Sequence, residues 1–268
     1  MNQATPGKGL RDTNRSHTNS PSASLPMYDW PEIAAETNSL WQSVATAFSQ
    51  AGLAVPEALT RDDNVNEHWL SPDLLFSQTC GYPLATRLWG RVTVLGTPVY
   101  DVAGCDGPTY SSAIIVRKDA DFADLGAAAT GTFAYNLPVS LSGYRCLSPM
   151  IGDPVRFFAN SVESGSHRVS ARMVAVGDAD IAAIDAVCWH LLQRVEPQAA
   201  DKLRVLTWSP SFPALPFITS LGRSEGELRA MRSSLAKAVR DAAHEMPTLR
   251  LRDVEFVDEQ RYAALADL

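Results

Sequence analysis

Short β-branched runs and amphipathic stretches alternate along almost the whole chain, and this alternation limits the fold more than any other feature. DLLFSQT (73–79), VTVLGTPVY (92–100), YSSAIIVRKD, TGTFAYN, FFANSV, DIAAI and KLRVLTWS (202–209) read as strands, bounded by turn chemistry such as Cys80-Gly81-Tyr82-Pro83. SLPMYDW reads as a short first strand running into a loop. Residues 32–51 place Ile33, Leu40, Val44 and Phe48 at helical spacing, with Gly52 as a stop. Residues 224–243 are the clearest amphipathic helix, with Leu228, Met231, Leu235 and Val239 on one face. Strands alternating with helices predict an α/β chain with a mostly parallel sheet and crossover connections.

Two extended runs are too long for one sheet. YSSAIIVRKDADFADL and RVLTWSPSFPALPFITS are expected to cross between two lobes, and prolines forbid a helix interior in the second. Lobe 1 is then 26–115 with 210–268, lobe 2 is 116–209, and the cleft between them is the natural ligand site. Residues 1–25 are polar and rich in Ser, Thr, Asn and Pro, the composition of a disordered tail.

Composition excludes several functions. A net charge of -7 and an isoelectric point near 5.2 argue against nucleic acid as a partner. No apolar run is long enough for a spanning helix, so no direct membrane insertion is expected. The tail has no apolar core of a secretory signal, which predicts a cytoplasmic protein as written and a periplasmic one if a leader is missing.

Catalytic motifs are sparse too. Cys80, Cys105, Cys146 and Cys188 lack metal-ligand spacing and are expected as free thiols, a Cys80–Cys105 bridge being the alternative in an oxidising compartment. The histidines show no metal spacing, and GxSxG, Walker, HExxH and GxGxxG motifs are absent. None of Lys8, Lys118, Lys202 and Lys237 falls in a candidate cleft loop. The chain is therefore expected to bind rather than catalyse, as a monomer without metal or cofactor.

Two loops could hold an anion. Ser164-Gly165-Ser166-His167 precedes a helical stretch, where free backbone N–H groups, a permissive glycine, hydroxyls and a histidine that can become cationic would satisfy an oxyanion without lysine. Ser140, Ser142 and Gly143 repeat the arrangement ahead of a helix expected near Ser142. Asp185, at the end of DIAAI, could cap the next helix or accept a ligand hydroxyl or ammonium. Tyr28, Trp30, Thr79, Tyr82 and Tyr110 lie at strand ends of the other lobe and suit a half-apolar ligand. Taken singly, each of these is also explained by capping or ordinary packing.

The order of FSQTCGYPLATRL, GTPVYDVAGCDGPTYSSAIIVRKDA and SGSHRVSARMVAVGDADIAAIDAVCWHLL resembles the phosphate/phosphonate-type solute-binding proteins of ABC transporters. The resemblance runs from about Pro26 to Ser220. It implies a type II periplasmic-binding-protein fold and non-catalytic binding of a small anionic solute, delivered to an ABC permease. It assigns the anion to Ser140, Ser142, Ser166 and His167, a ligand amino group to Asp185, and the aromatic lining to Tyr28 and Tyr82. Leu141 interrupts the paired hydroxyls of the family pattern. A cytoplasmic metabolite sensor and an enzyme like the thiamine-pyrimidine precursor synthases are the alternatives on the same fold.

Overall fold

The first sheet draws its strands from both ends of the chain. In the computed structural model, which describes residues 20–61 and 64–268, the strands are β1 (Ser22–Ala23), β2 (Leu74–Gln78), β3 (Val92–Tyr100), β4 (Cys105–Asp106), β5 (Thr109–Tyr110), β6 (Ser112–Arg117), β7 (Thr132–Tyr135), β8 (Asn160–Glu163), β9 (Ile181–Asp185), β10 (Leu203–Trp208), β11 (Phe212–Pro213), β12 (Phe217–Ser220) and β13 (Leu251–Glu255). They form a sheet in the order β1-β2-β12-β3-β13, a second in the order β10-β6-β9-β7-β8, and a small sheet β11-β5-β4 where the chain passes between them. The architecture is α/β and two-lobed, with two crossovers.

The sheets are mixed rather than mostly parallel. Among the described residues, β1 with β2 and β7 with β8 and β9 are parallel, and the other pairings are antiparallel. The cause lies in the crossovers. A helix packed on the sheet returns the chain for a parallel strand, whereas β12 arrives from the other lobe and inserts head-down between β2 and β3. The expected division at 115/116 falls inside β6, all of which belongs to the second sheet.

Each sheet has its own aromatic centre. Phe76 on β2 lies 5.0 Å from Phe217 and 6.0 Å from both Trp41 and Phe48 of the Ala34–Gln50 helix. Phe133 on β7 stacks on Phe158 at 5.0 Å and on Tyr135 at 5.9 Å. The Glu225–Ala242 helix buries Leu228, Met231, Leu235 and Val239, the face its periodicity marks, against β13 and the Ala34–Gln50 helix. Ser224 and Glu227 close its first turn as a capping box. Glu36 of the Ala34–Gln50 helix accepts the Thr248 and Leu249 N–H groups, at 3.0 and 2.8 Å, and so fixes the approach to β13.

The crossovers are tied together. Phe212 and Pro213 pair with Tyr110 and Thr109, and Cys105 pairs with Tyr110 from the other side. Below them the Ser209 N–H donates to the Ser112 carbonyl at 2.9 Å, and the Ser112 N–H donates to Ser209 Oγ at 2.8 Å. Gly104, at φ +90, lets the Trp208 ring lie where a Cβ would be 2.3 Å away.

Several local expectations change. SLPMYDW is a turn rather than a strand, and the pairing with β2 falls earlier, at Ser22–Ala23. Pro26 removes an N–H that the ladder would need there. DFADL leaves the extended run for a short helix, Leu125–Ala128, because the Asp124 side chain accepts the Ala127 N–H at 2.8 Å and caps it. No long helix starts at Ser142; a 3-10 turn, Arg145–Leu147, leads into Ser148–Ile151, stopped by Gly152 at φ +75. β13 was not expected. The four cysteines are free thiols. The tail expected over 1–25 lies outside the described residues up to position 19.

Candidate functional site

A cavity of about 430 Å³ lies between the lobes. From the first lobe it is walled by the Pro26–Trp30 turn, Val65, Trp69, Cys80, Pro83 and Leu215. The second lobe contributes the 136–142 loop, the Gly165–Arg168 segment, Asp185 and Cys188. Tyr28, Trp30, Ser140, Ser142, Ser166, His167 and Asp185 thus meet at one cavity.

Thr79, Tyr82 and Tyr110 stand behind its wall. Side chains alternate at the end of β2, so Cys80 takes the cavity-facing position while Thr79 is buried, its N–H donating to the Pro216 carbonyl at 3.1 Å. Tyr82 lies under the Arg145 guanidinium, 5.1 Å from its ring centroid. Tyr110 is buried in the small sheet at the crossover, and burial raises its phenol far above the usual range.

The two serine loops are joined by a side-chain hydrogen bond, Ser142 Oγ to His167 Nε2 at 2.8 Å, and by the Gly165 N–H donating to the Asn136 carbonyl at 3.0 Å. Ser166 caps the His167–Val176 helix, its Oγ accepting the Val169 N–H at 3.2 Å. Gly165, at φ +86, turns the chain into that helix. Ser164 faces away from the cavity and braces the loop, bonding Ser170 Oγ at 2.6 Å and the Tyr135 carbonyl at 3.0 Å. In the other loop Ser140 Oγ accepts the Gly143 N–H at 3.0 Å.

Asn136 is the partner that sequence reading missed. Its Oδ1 accepts the Leu137 N–H at 2.8 Å, which turns Nδ2 toward His167 Nε2 at 3.4 Å. With both Asn136 and Ser142 offering protons, Nε2 is the acceptor and the imidazole proton sits on Nδ1. Burial holds the imidazole down at about 4. His167, read from sequence as a donor that can become cationic, is therefore neutral in this state, because burial penalises its charged form.

Asp185 is nearly sealed, at 1 % exposure, and hydrogen-bonded from both lobes. It caps the Ala186–Val195 helix, accepting the Val187 and Cys188 N–H groups at 2.8 and 3.2 Å. Across the cleft the Tyr28 hydroxyl donates to it at 3.0 and 3.1 Å, joining the lobes. Burial pushes its carboxyl up to about 6, against the hydrogen bonds that favour the charged form.

Arg168, also unforeseen, closes the rim. It reaches from the second lobe to Glu32 of the first at 2.6 and 3.1 Å, bonds Glu196 beside it, and lies 4.9 Å over the Trp30 ring. Glu196 is shared with Arg172 at 2.7 Å. The arrangement gives hydroxyls, an amide and a helix N-terminus on one side of the cavity and, among the described residues, no free cation lining it. Among the described residues no cluster has the makings of a metal site, and no helix is long and apolar enough to cross a membrane.

Comparison with known proteins agrees with the two-lobed fold. The family model described as ABC transporter, phosphonate, periplasmic substrate-binding protein matches residues 71–260. A binding-protein component of an ABC phosphonate transporter from Pseudomonas aeruginosa is similar in structure, with a TM-score of 0.69 at 19% identity over 91% of this chain and 83% of that one. A Prochlorococcus marinus protein in complex with methylphosphonate gives 0.69 at 13% identity over 93% of this chain and 97% of that one. A Xanthomonas citri protein bound to chloride gives 0.70 at 17% identity over 93% and 97%. The comparison with curated proteins gives no match.

Proposed function

The chain belongs to the periplasmic substrate-binding proteins of phosphonate ABC transporters, and from that premise we propose that its interlobe cavity holds a small phosphonate-like oxyanion against the second lobe. The family binds a small solute for a permease partner and is not catalytic, so the enzyme alternative falls away. The observation that carries the anion reading is the Ser142 Oγ–His167 Nε2 hydrogen bond of 2.8 Å, which brings both hydroxyl loops to one point on the cavity. The Ser166-capped N-terminus of the His167–Val176 helix adds unpaired backbone N–H groups and the positive end of the helix dipole.

The lobes act as the two jaws, with Tyr28–Asp185 and Arg168–Glu32 as closing contacts. We place the monomer's working site in the periplasm, where the family acts. Calorimetric titration of methylphosphonate, phosphate and methanesulfonate tests the reading. Wild type should bind at least one of these anions, and Ser142→Ala should weaken that binding about tenfold or more, the loss of one hydrogen bond to a charged group. Equal affinity in the variant would remove the Ser142–His167 point as the anion site.

A further inference from the structure

The two walls of the cavity differ in chemistry. Asn136, Ser142, Ser166 and His167, set among Leu137, Val139 and Cys188, all come from the second lobe, whereas the facing wall presents chiefly Met27, Val65, Trp69, Pro83 and Leu215. The polar atoms that the first lobe does bring are largely engaged. The Tyr28 hydroxyl donates to Asp185. Asp29 accepts from Arg61 Nε and from Thr37 Oγ1, both at 2.6 Å. Trp69 Nε1 donates to Ser77 Oγ and to the Gln78 carbonyl, at 3.2 and 3.1 Å. Asn66 is exposed at the edge.

We infer that the solute carries an apolar alkyl or aryl body of several carbons on its anionic head, and that this body lies against the first lobe. The inference rests on the anion reading above and adds the substrate class. A polar body would lose its hydration against Met27, Val65 and Leu215 and gain no partner in return. A bare phosphate or methylphosphonate would leave most of a 430 Å³ space unfilled by solute. Asp185 is 1 % exposed and already accepts the Tyr28 hydroxyl and two helix N–H groups, so an ammonium-bearing body would meet a shielded carboxylate rather than an open one.

The test is a calorimetric series at one pH with methyl-, butyl-, hexyl- and phenylphosphonate, and with 2-aminoethylphosphonate as the polar-bodied control. Affinity should rise about fourfold per added methylene from methyl- through hexylphosphonate. Aminoethylphosphonate should bind more weakly than butylphosphonate. In the Val65→Thr variant, which keeps side-chain shape on the first-lobe wall and is checked for native melting, the gain per methylene should shrink. If methylphosphonate binds and longer chains bind no better, or the amino compound binds tightest, the apolar-body inference is overturned while the anion reading stands. If no phosphonate of any length binds, the anion reading itself has failed and takes this inference with it.

Discussion

Replacing His167 by glutamine should change how stability depends on pH, by an amount set by two buried groups that titrate in opposite senses. The folded-state imidazole is held at about 4 by burial, against about 6.5 when exposed. Between these values the unfolded chain takes a proton that the folded chain refuses, so stability is lost as pH falls from about 6.5 to about 4. Asp185 behaves conversely. Its folded carboxyl sits at about 6, against about 3.9 when exposed. The folded chain therefore holds the extra proton, and this contribution is fully present below about pH 4 and lost as pH rises through about 6. At about 1.4 kcal/mol per tenfold, each group is worth on the order of 3 kcal/mol, and over their shared interval the two nearly cancel. His167→Gln removes one side of that balance. Relative to wild type it should gain about 2–3 kcal/mol between pH 6.5 and 4, and Asp185→Asn should lose a similar amount over the same interval. Urea unfolding at constant ionic strength measures this, read as variant minus wild type so that surface carboxylates drop out. A flat difference curve for His167→Gln from pH 7 to 4 would refute the argument, since it would mean the imidazole titrates alike in folded and unfolded chains.

Two further substitutions address the cavity wall and the rim. A Cβ on Gly143 would lie 2.0 Å from Asn136 Oδ1, so Gly143→Ala should displace Asn136 and cut anion affinity roughly tenfold, with about 1–3 kcal/mol of destabilisation; calorimetry showing native affinity would mean that Asn136 has no part in orienting His167. Arg168→Ala removes the bonds to Glu32 and Glu196 and the face contact with Trp30. These groups are partly exposed and solvent-screened, so the stability loss should stay near 1–2 kcal/mol, while small-angle scattering should record a larger radius of gyration as the lobes part; an unchanged radius would show that other contacts alone hold the lobes together.

What the sequence makes legible is what repeats or caps locally. The Glu225–Ala242 helix is readable because its buried face recurs with the helical period and Ser224 and Glu227 mark its start. β4, β5 and β11 are two residues each and carry no period at all. β13 follows Arg250 at φ 60 and gains its place by pairing with distant β3 and packing under the Glu225–Ala242 helix. At the cavity, Ser142, Ser166 and His167 are legible as hydroxyl-bearing loops near helix starts. Asn136 and Arg168 are not, because their roles come from partners 31 and 136 positions away. The strand-end reading named Thr79 where Cys80 faces the cavity, a one-residue slip that a two-residue period makes decisive.

Two strands of chain joining two lobes would ordinarily leave them free to twist and slide as well as to open. Here β5 is bonded on one edge to β11 and on the other to β4, and the Ser112–Ser209 pair locks the joint beneath. The two connections therefore flex as one axle. Twisting or sliding of the jaws would have to break these bonds whereas rotation about the axle would not, which favours a common orientation of the outer surfaces in closed molecules. A permease reading that orientation would register one bit, shut or not shut, whatever the solute inside.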